Sequence, residues 1–193
     1  LGKIRFVWLS FVSDITNMET ELKIQIAREA DLGSLVPLAA AFRDHLGQST
    51  PSDADFRKSI ALLLKDTKTE FFLACDTQEN NLGYVQCRYR YSAWISGFEA
   101  ELEDVFVVRE ARRRGVGRRL VEFALARARS RGCSSIGLNT NERNENAIAL
   151  YQRLGFRSLR PLWGGHQLWL DKSLEDIKHG ADNNAAHSIH DRT

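Results

Sequence analysis

The segment Arg112-Arg-Arg-Gly-Val-Gly-Arg-Arg119 constrains this chain more than any other, because it stands between an apolar run, Ala100 to Val108, and a stretch with helical apolar spacing. A strand that ends in a glycine turn and feeds a helix leaves the first N–H groups of that helix without partners inside it, and glycine lets backbone approach a ligand closely. Those amides, reinforced by the helix dipole, suit an anion, with phosphate the obvious ligand. The turn is neither of two familiar phosphate loops. Gly-x-x-x-x-Gly-Lys-Ser/Thr is absent, and Gly115-Val116-Gly117 is followed by Arg118-Arg119-Leu120 with no third glycine or alanine. A turn that merely joins strand to helix is the plainer alternative.

Charge weighs against the plainer alternative. Nine arginines lie between Arg109 and Arg131, faced only by Glu110 and Glu122, in a chain whose 27 Lys and Arg against 25 Asp and Glu leave a net charge of +2. The cluster surrounds one turn instead of striping a groove with interleaved aromatics, so it predicts a small phosphate ligand and no nucleic acid.

The 193 residues, 43% hydrophobic and 27% charged, predict one domain with a real core. No apolar run reaches the roughly 18 to 20 residues of a membrane helix, and no membrane association is expected. Three cysteines, Cys75, Cys87 and Cys133, odd in number and without CxxC, fit neither a disulfide framework nor a zinc knuckle and point to the cytoplasm. Near the start, Lys3 and Arg5 precede a short apolar run that imitates a signal peptide, but no small-x-small cleavage site follows. The only methionine, Met18, stands just before the regular pattern, so residues 1–17 are read as lying upstream of the natural start and 1–21 as an N-terminal extension.

Alternation over Lys23 to Arg28 predicts a strand, and Asp31 can cap a helix toward Asp44, with a kink or late start at Pro37. Helical spacing of Phe56, Ile60 and Leu63 predicts a second helix over Ser52 to Leu64. Glu70 to Cys75 and Leu82 to Tyr91, separated by turn residues, predict an antiparallel hairpin, followed by a loop holding Trp94 and Gly97. After the Ala100 to Val108 strand come a helix of about 14 residues, a strand over Ser134 to Thr140, a helix from Asn144 to Leu154 ended by Gly155, and a hairpin around Pro161 to Leu170. The unit from Leu102 to Thr140 should pair in parallel and the rest as hairpins, giving a mixed sheet. Residues 173–193 read as a polar tail, loose from 179 onward.

The helix that Asn144 opens carries Ala147, Leu150, Tyr151 and Leu154 on one face, where a tyrosine is ordinarily core. Together the two motifs are recognisable. Val107, Arg112, Gly115 and Gly117, then Asn144, Ala147, Leu150, Tyr151, Gly155 and Phe156, in this order and spacing, resemble the GNAT superfamily of N-acetyltransferases. The resemblance covers about residues 22–172 and implies an α/β fold with a mixed, mostly antiparallel sheet of about six to seven strands, a splayed parallel pair and about four helices. Gly83-Tyr-Val, Trp94, Leu102 to Val107 and Cys133-Ser-Ser-Ile look like its diamine (spermidine/spermine-type) acetyltransferase branch. Two positions depart from the usual pattern: Arg109 stands where many members have proline, and Arg113 where many have glycine.

The resemblance implies acetyl-CoA as acyl donor. It places the pyrophosphate on the turn, Arg112, Arg113, Arg114, Gly115, Val116, Gly117 and Arg118, sets Val105, Phe106 and Val107 beside the pantetheine, and adds Asn139, Asn144, Ala147 and Tyr151 as cofactor contacts. Amine acetylation needs a polarised thioester carbonyl, a deprotonated amine and a protonated leaving thiolate. A backbone N–H near Val107 can polarise the carbonyl, and Tyr151 is the candidate acid. On simple alternation Glu101, Glu103, Val105 and Val107 share one strand face and Leu102, Asp104 and Phe106 the other, unless a bulge intervenes. Glu103 and Asp104 match an acidic pair that the diamine branch sets beside its substrate, so Glu103 is the preferred base, with Asp104, Glu101 or no protein base as alternatives. With Trp94 and Tyr91, and with Tyr89 and Phe98 nearby, these carboxylates suit an ammonium. His179, His187 and His190 lie in the tail, no metal site is expected, and Cys133 is expected to be packed. The expected activity is acetyl transfer to the primary amine of a small cationic metabolite, by a homodimer. A protein amine as acceptor, or a non-catalytic acyl-CoA-binding module, are the alternatives.

Overall fold

The computed structural model describes residues 22–160, 164–166, 170 and 172. The N-terminal extension, the tail with its three histidines, and most of the Pro161 to Leu170 hairpin lie outside the described residues.

The element order is β1 (Lys23–Ile26), a 3-10 turn, α1 (Leu32–His45), α2 (Asp53–Leu63), β2 (Thr69–Cys75), β3 (Asn81–Ser92), β4 (Gly97–Val107), a second 3-10 turn (Arg109–Ala111), α3 (Val116–Ser130), β5 (Cys133–Leu138), α4 (Glu145–Arg153), β6 (Leu159–Arg160) and β7 (Gly165–His166). Strands β1 to β5 form one sheet in sequence order, antiparallel except for the parallel pair β4 and β5. The expected fold class holds, with a five-stranded sheet in place of the six to seven strands anticipated. Strands β6 and β7 pair with each other, Leu159 opposite His166 and Arg160 opposite Gly165.

Both faces of the sheet are covered, which is why β2 reads as the unbroken apolar run Phe71-Phe-Leu-Ala74. Phe72 and Ala74 join Val85, Cys87, Ala100 and Leu102 against Leu120, Val121 and Ala124 of α3. Phe71 and Leu73 join Tyr84 and Phe106 against Leu35, Val36, Leu38 and Ala39 of α1 and Ile60 of α2. Helix α1 begins at Leu32 and carries Pro37 within it, so the late start expected at the proline does not occur. The donor that Pro37 lacks would have bonded to Gly33, one turn back, and both residues are exposed to water that can serve that carbonyl.

The β3–β4 hairpin is longer than expected: Ser92 pairs with Gly97, so Gly97 opens β4 and only residues 93–96 turn. The arginine cluster is also divided by the fold. Arg127 of α3 and Arg131, its C-cap, reach Glu70 of β2 at 2.6 and 2.8 Å, Tyr89 donates to the same carboxylate at 2.8 Å, and Arg118 pairs with Glu122. Burial opposes ionisation of Glu70, but the bonds from Arg127 and Tyr89 and the charges of both arginines outweigh it and hold the carboxyl below its ordinary range. Arg127 and Arg131 are thus tied to the sheet, and Arg118 is paired along its own helix.

Candidate active site

Parallel pairing of β4 with β5 runs from Phe98 opposite Cys133 to Leu102 opposite Leu138 and stops, while β4 continues to Val107. Beyond Leu102 the β5 side of β4 is an open edge. Val108 donates its N–H to Leu82 of β3 at 3.0 Å, so by strand alternation Val105 and Val107 turn their N–H and C=O groups away from β3, to the open edge. Arg112 confirms the direction by donating from Nε to the Val107 carbonyl at 3.0 Å.

The open edge leads to the glycine turn. Arg113 and Gly115 both take left-handed backbone, with φ of 62° and 80°. Gly115 is the N-cap of α3, and the first helical bond there is Arg119 N–H to the Gly115 carbonyl at 3.0 Å. The amides of Val116, Gly117 and Arg118 have no backbone partner among the described residues, which leaves three donors at the positive end of the helix dipole. A Cβ on Gly117 would point at Val107 Cγ2 and Leu150 Cδ2, 3.6 and 3.7 Å away, so this amide sits where β4, α3 and α4 converge.

Tyr151 comes to the same convergence from α4. It is 9% exposed, its ring meets Phe156 at a centroid distance of 5.9 Å, and its hydroxyl has no hydrogen bond among the described residues. Burial pushes the phenol up, so it keeps its proton. Ala147 and Leu150 pack against the same core as expected. Asn144 holds the N-cap position but makes no side-chain cap, reaching Thr140 Oγ1 at 3.5 Å, and Asn139 donates to Glu101 at 3.2 Å.

The carboxylates depart from simple alternation. Gln86 lies opposite Asp104 and Cys87 opposite Leu102, which makes Glu103 the extra residue of a bulge in β4. Leu102, Val105 and Val107 therefore all pack toward α3, and Phe106 packs toward α1. Asp104 turns to the α1 side, where Tyr84 donates to it at 3.0 Å. Burial raises the Asp104 carboxyl, the Tyr84 hydrogen bond opposes the rise, and the Glu103 charge adds to it. Glu103 is closed by Arg88, with Nε at 2.6 Å from its Oε1, and by the side-chain amide of Gln86. Arg90 likewise engages Glu99 at 2.6 Å and Glu101 at 3.8 Å. Gln86, Arg88 and Arg90 were not singled out from sequence, although their alternation opposite Glu99, Glu101 and Glu103 is visible once the hairpin register is known.

The aromatic residues do not gather here. Tyr91 and Phe98 stack edge to face at 5.4 Å beside the hairpin turn, and Trp94 within it is 82% exposed. Phe98 and Glu103 stand five positions apart, about 17 Å along β4. Tyr89 is buried on the α3 side and bonded to Glu70. No group of three or more metal-ligating side chains occurs among the described residues, and no described helix is long and apolar enough to cross a membrane.

The chain is similar in sequence and in fold to known proteins. The chain is 35% identical over 98 residues to an uncharacterized N-acetyltransferase of Methanocaldococcus jannaschii, covering 49% of this chain and 42% of that protein. It is 34% identical over 85 residues to thialysine N-epsilon-acetyltransferase of Sus scrofa, covering 44% and 49%. The matches thus span about half the length of these relatives. A crystal structure of a probable acetyltransferase superimposes with a TM-score of 0.70 at 26% identity, over 78% of this chain and 99% of the other. Residues 38–156, which hold the open β4 edge, the glycine turn and Tyr151, match the family model for acetyltransferases of the GNAT type, and the chain belongs to that family.

Proposed function

We propose that this chain is an acetyl-CoA-dependent N-acetyltransferase that acts on the primary amine of a small cationic acceptor by direct transfer. The observation that carries the reading is the open edge of β4 running into the unpartnered amides of α3. When bound, the acyl donor supplies an acetyl thioester and a pyrophosphate. The residues present fit both parts. Val105 and Val107 offer a strand edge to an extended amide-bearing arm, and the amides of Val116, Gly117 and Arg118 offer donors to phosphate. An edge N–H from Val107 is placed to stabilise charge on a carbonyl oxygen.

Tyr151, protonated and without a competing hydrogen bond among the described residues, gives a proton to the departing sulfur. Asp104 takes the proton from the attacking amine. It suits that role better than Glu103, whose carboxylate is held by Arg88 and Gln86, whereas among the described residues Asp104 hydrogen-bonds the Tyr84 hydroxyl alone and has no ion pair. A carboxyl raised by burial also lies nearer the working pH of a base. Glu99, Glu101 and Glu103 outnumber Arg88 and Arg90 by one, and the negative charge left over draws a cation toward Asp104.

Mixing the protein with acetyl-CoA and a panel of amines, and following free thiol, tests the proposal. Thiol release that requires an amine and falls about 10²- to 10⁴-fold in Asp104→Asn is expected. Saturable coenzyme A binding with no amine-dependent thiol release would make the chain a binding module instead. A homodimer belongs to the same reading and is checked by sedimentation.

A further inference from the structure

Of the groups that β4 turns to its open edge, the N–H and C=O of Val105 and of Val107, one is taken up by the chain itself. Arg112 donates from Nε to the Val107 carbonyl at 3.0 Å, and its guanidinium carbon lies 5.9 Å from the centre of the Phe106 ring. Val107 opens to the edge while Phe106 packs toward α1, so the guanidinium is laid along the rim of the strand, at the end nearest the glycine turn. Among the described residues no carboxylate pairs with Arg112, and the residue is exposed. One hydrogen bond to a neutral oxygen therefore holds it there, a weak hold in competition with water. A charged side chain on an open strand edge also blunts that edge against pairing with other chains.

We propose that Arg112 selects for phosphate-bearing donors, as a cap on the edge of β4 that phosphate releases. The inference rests on the acetyltransferase reading above and adds a donor-specificity residue to that site. A strand-like arm pairs with both the N–H and the C=O of an edge residue, so Arg112 competes with it for the Val107 carbonyl. On leaving, the guanidinium loses a bond to a neutral carbonyl; on meeting phosphate it gains charge-assisted, bidentate bonds, which are stronger. Arg112 follows the 3-10 turn and stands three residues before Gly115, so along the chain it lies between the edge and the amides of Val116, Gly117 and Arg118. An arm joined to phosphate clears the edge at a gain, and the same arm alone clears it at a loss.

Coenzyme A and D-pantetheine, which carries the same arm without the phosphates, separate the two halves of the proposal. Calorimetry, or titration of 15N amide resonances where binding is weak, gives both Kd values for the parent and for Arg112→Met, which keeps an apolar stem and loses every donor. Arg112→Met should bind pantetheine about two- to tenfold more tightly, the effect of removing one competing hydrogen bond. The same substitution should cut the preference for coenzyme A over pantetheine about tenfold or more. In the parent, the Nε–H resonance of Arg112 should shift on saturation with coenzyme A, a readout that needs no variant. Unchanged pantetheine affinity with weakened coenzyme A makes Arg112 a plain phosphate ligand. Weaker binding of both makes it a prop of the edge, and equal tightening of both shows that phosphate does not release it. Each of these results, or an Nε–H resonance unmoved at saturation, overturns the inference and leaves the acetyltransferase reading standing. The expected pattern without amine-dependent thiol release supports the cap and overturns that reading. Absence of binding by either ligand, in parent and variant alike, overturns both.

Discussion

The hydroxyl of Tyr84 donates to the carboxylate of Asp104 at 3.0 Å, across adjacent strands and on the face covered by α1. This bond holds down a carboxyl that burial and the neighbouring Glu103 push up, so each partner has its own signature.

As the base, Asp104 must be ionised, and kcat/KM should rise with pH along an acidic limb set by its raised pKa. Tyr84→Phe removes the bond that opposes the rise and should move that limb to higher pH. A pH–rate profile of parent and variant checks this; an unmoved limb would detach Asp104 from the proton transfer.

The same shift has a consequence for stability. A carboxyl whose folded pKa lies above its unfolded value of about 3.9 contributes stability below that value and loses it as pH rises through the raised one. Asp104→Asn does not titrate, so its Tm relative to the parent should climb across that window. Thermal melts from acid to neutral pH measure the difference.

Gly117→Asp should fold, because its Cβ would meet Val107 and Leu150 at ordinary contact distance and an acidic group is favoured at a helix N-terminus. Its carboxylate would occupy the amides assigned to phosphate. Coenzyme A at about a hundred times its Kd should stabilise the parent by about 2.7 kcal/mol, and little of that should remain in the variant. Equal ligand-induced shifts in both would take the turn out of the site.

Glu70 is the common acceptor of Arg127, Arg131 and Tyr89, and its side chain is 11% exposed. Removing it strands two guanidinium groups, though both are about a third exposed and partly rehydrate. Glu70→Ala should destabilise by about 2–3 kcal/mol, below the roughly 3–5 of a fully buried pair. Urea unfolding reads this, and a loss under about 0.5 kcal/mol, the ordinary range for a surface substitution, would show that the clamp is incidental.

Arg113 holds left-handed backbone at a position where glycine does so without cost. Relief of about 1–2 kcal/mol, less the entropy glycine adds to the unfolded chain, predicts that Arg113→Gly stabilises by about 0.5–1 kcal/mol. The same urea measurement checks the sign.

The glycine turn and the helix after it were legible because their signals are local. A glycine at a left-handed N-cap, and Val116, Leu120, Val121, Ala124 and Ala128 at helical spacing, need no knowledge of the rest of the chain. The bulge at Glu103 was not, since one extra residue in a strand shows only in the pairing of Gln86 with Asp104 and Cys87 with Leu102. That single residue shifts the alternation, so that Leu102, Val105 and Val107 share one face and Asp104 and Phe106 the other. Glu103 was preferred as base on the resemblance alone, and its capture by Arg88 and Gln86 shows only once the hairpin is paired. The arginine cluster misled in part because Glu70, far away in sequence, takes up Arg127 and Arg131. Asn144 has the composition of a cap and the position of one, but its side chain turns to Thr140.

The central claim is that the open edge of β4 and the N-terminus of α3 form one ligand site. Titrating coenzyme A into 15N-labelled protein and following backbone amides tests it most directly. The account predicts saturable shifts at Val105, Val107, Val116, Gly117 and Arg118, with the amides of β1 and α2 unmoved. Saturable shifts confined to other elements, or none at concentrations where the family's acyl donor should bind, would contradict it.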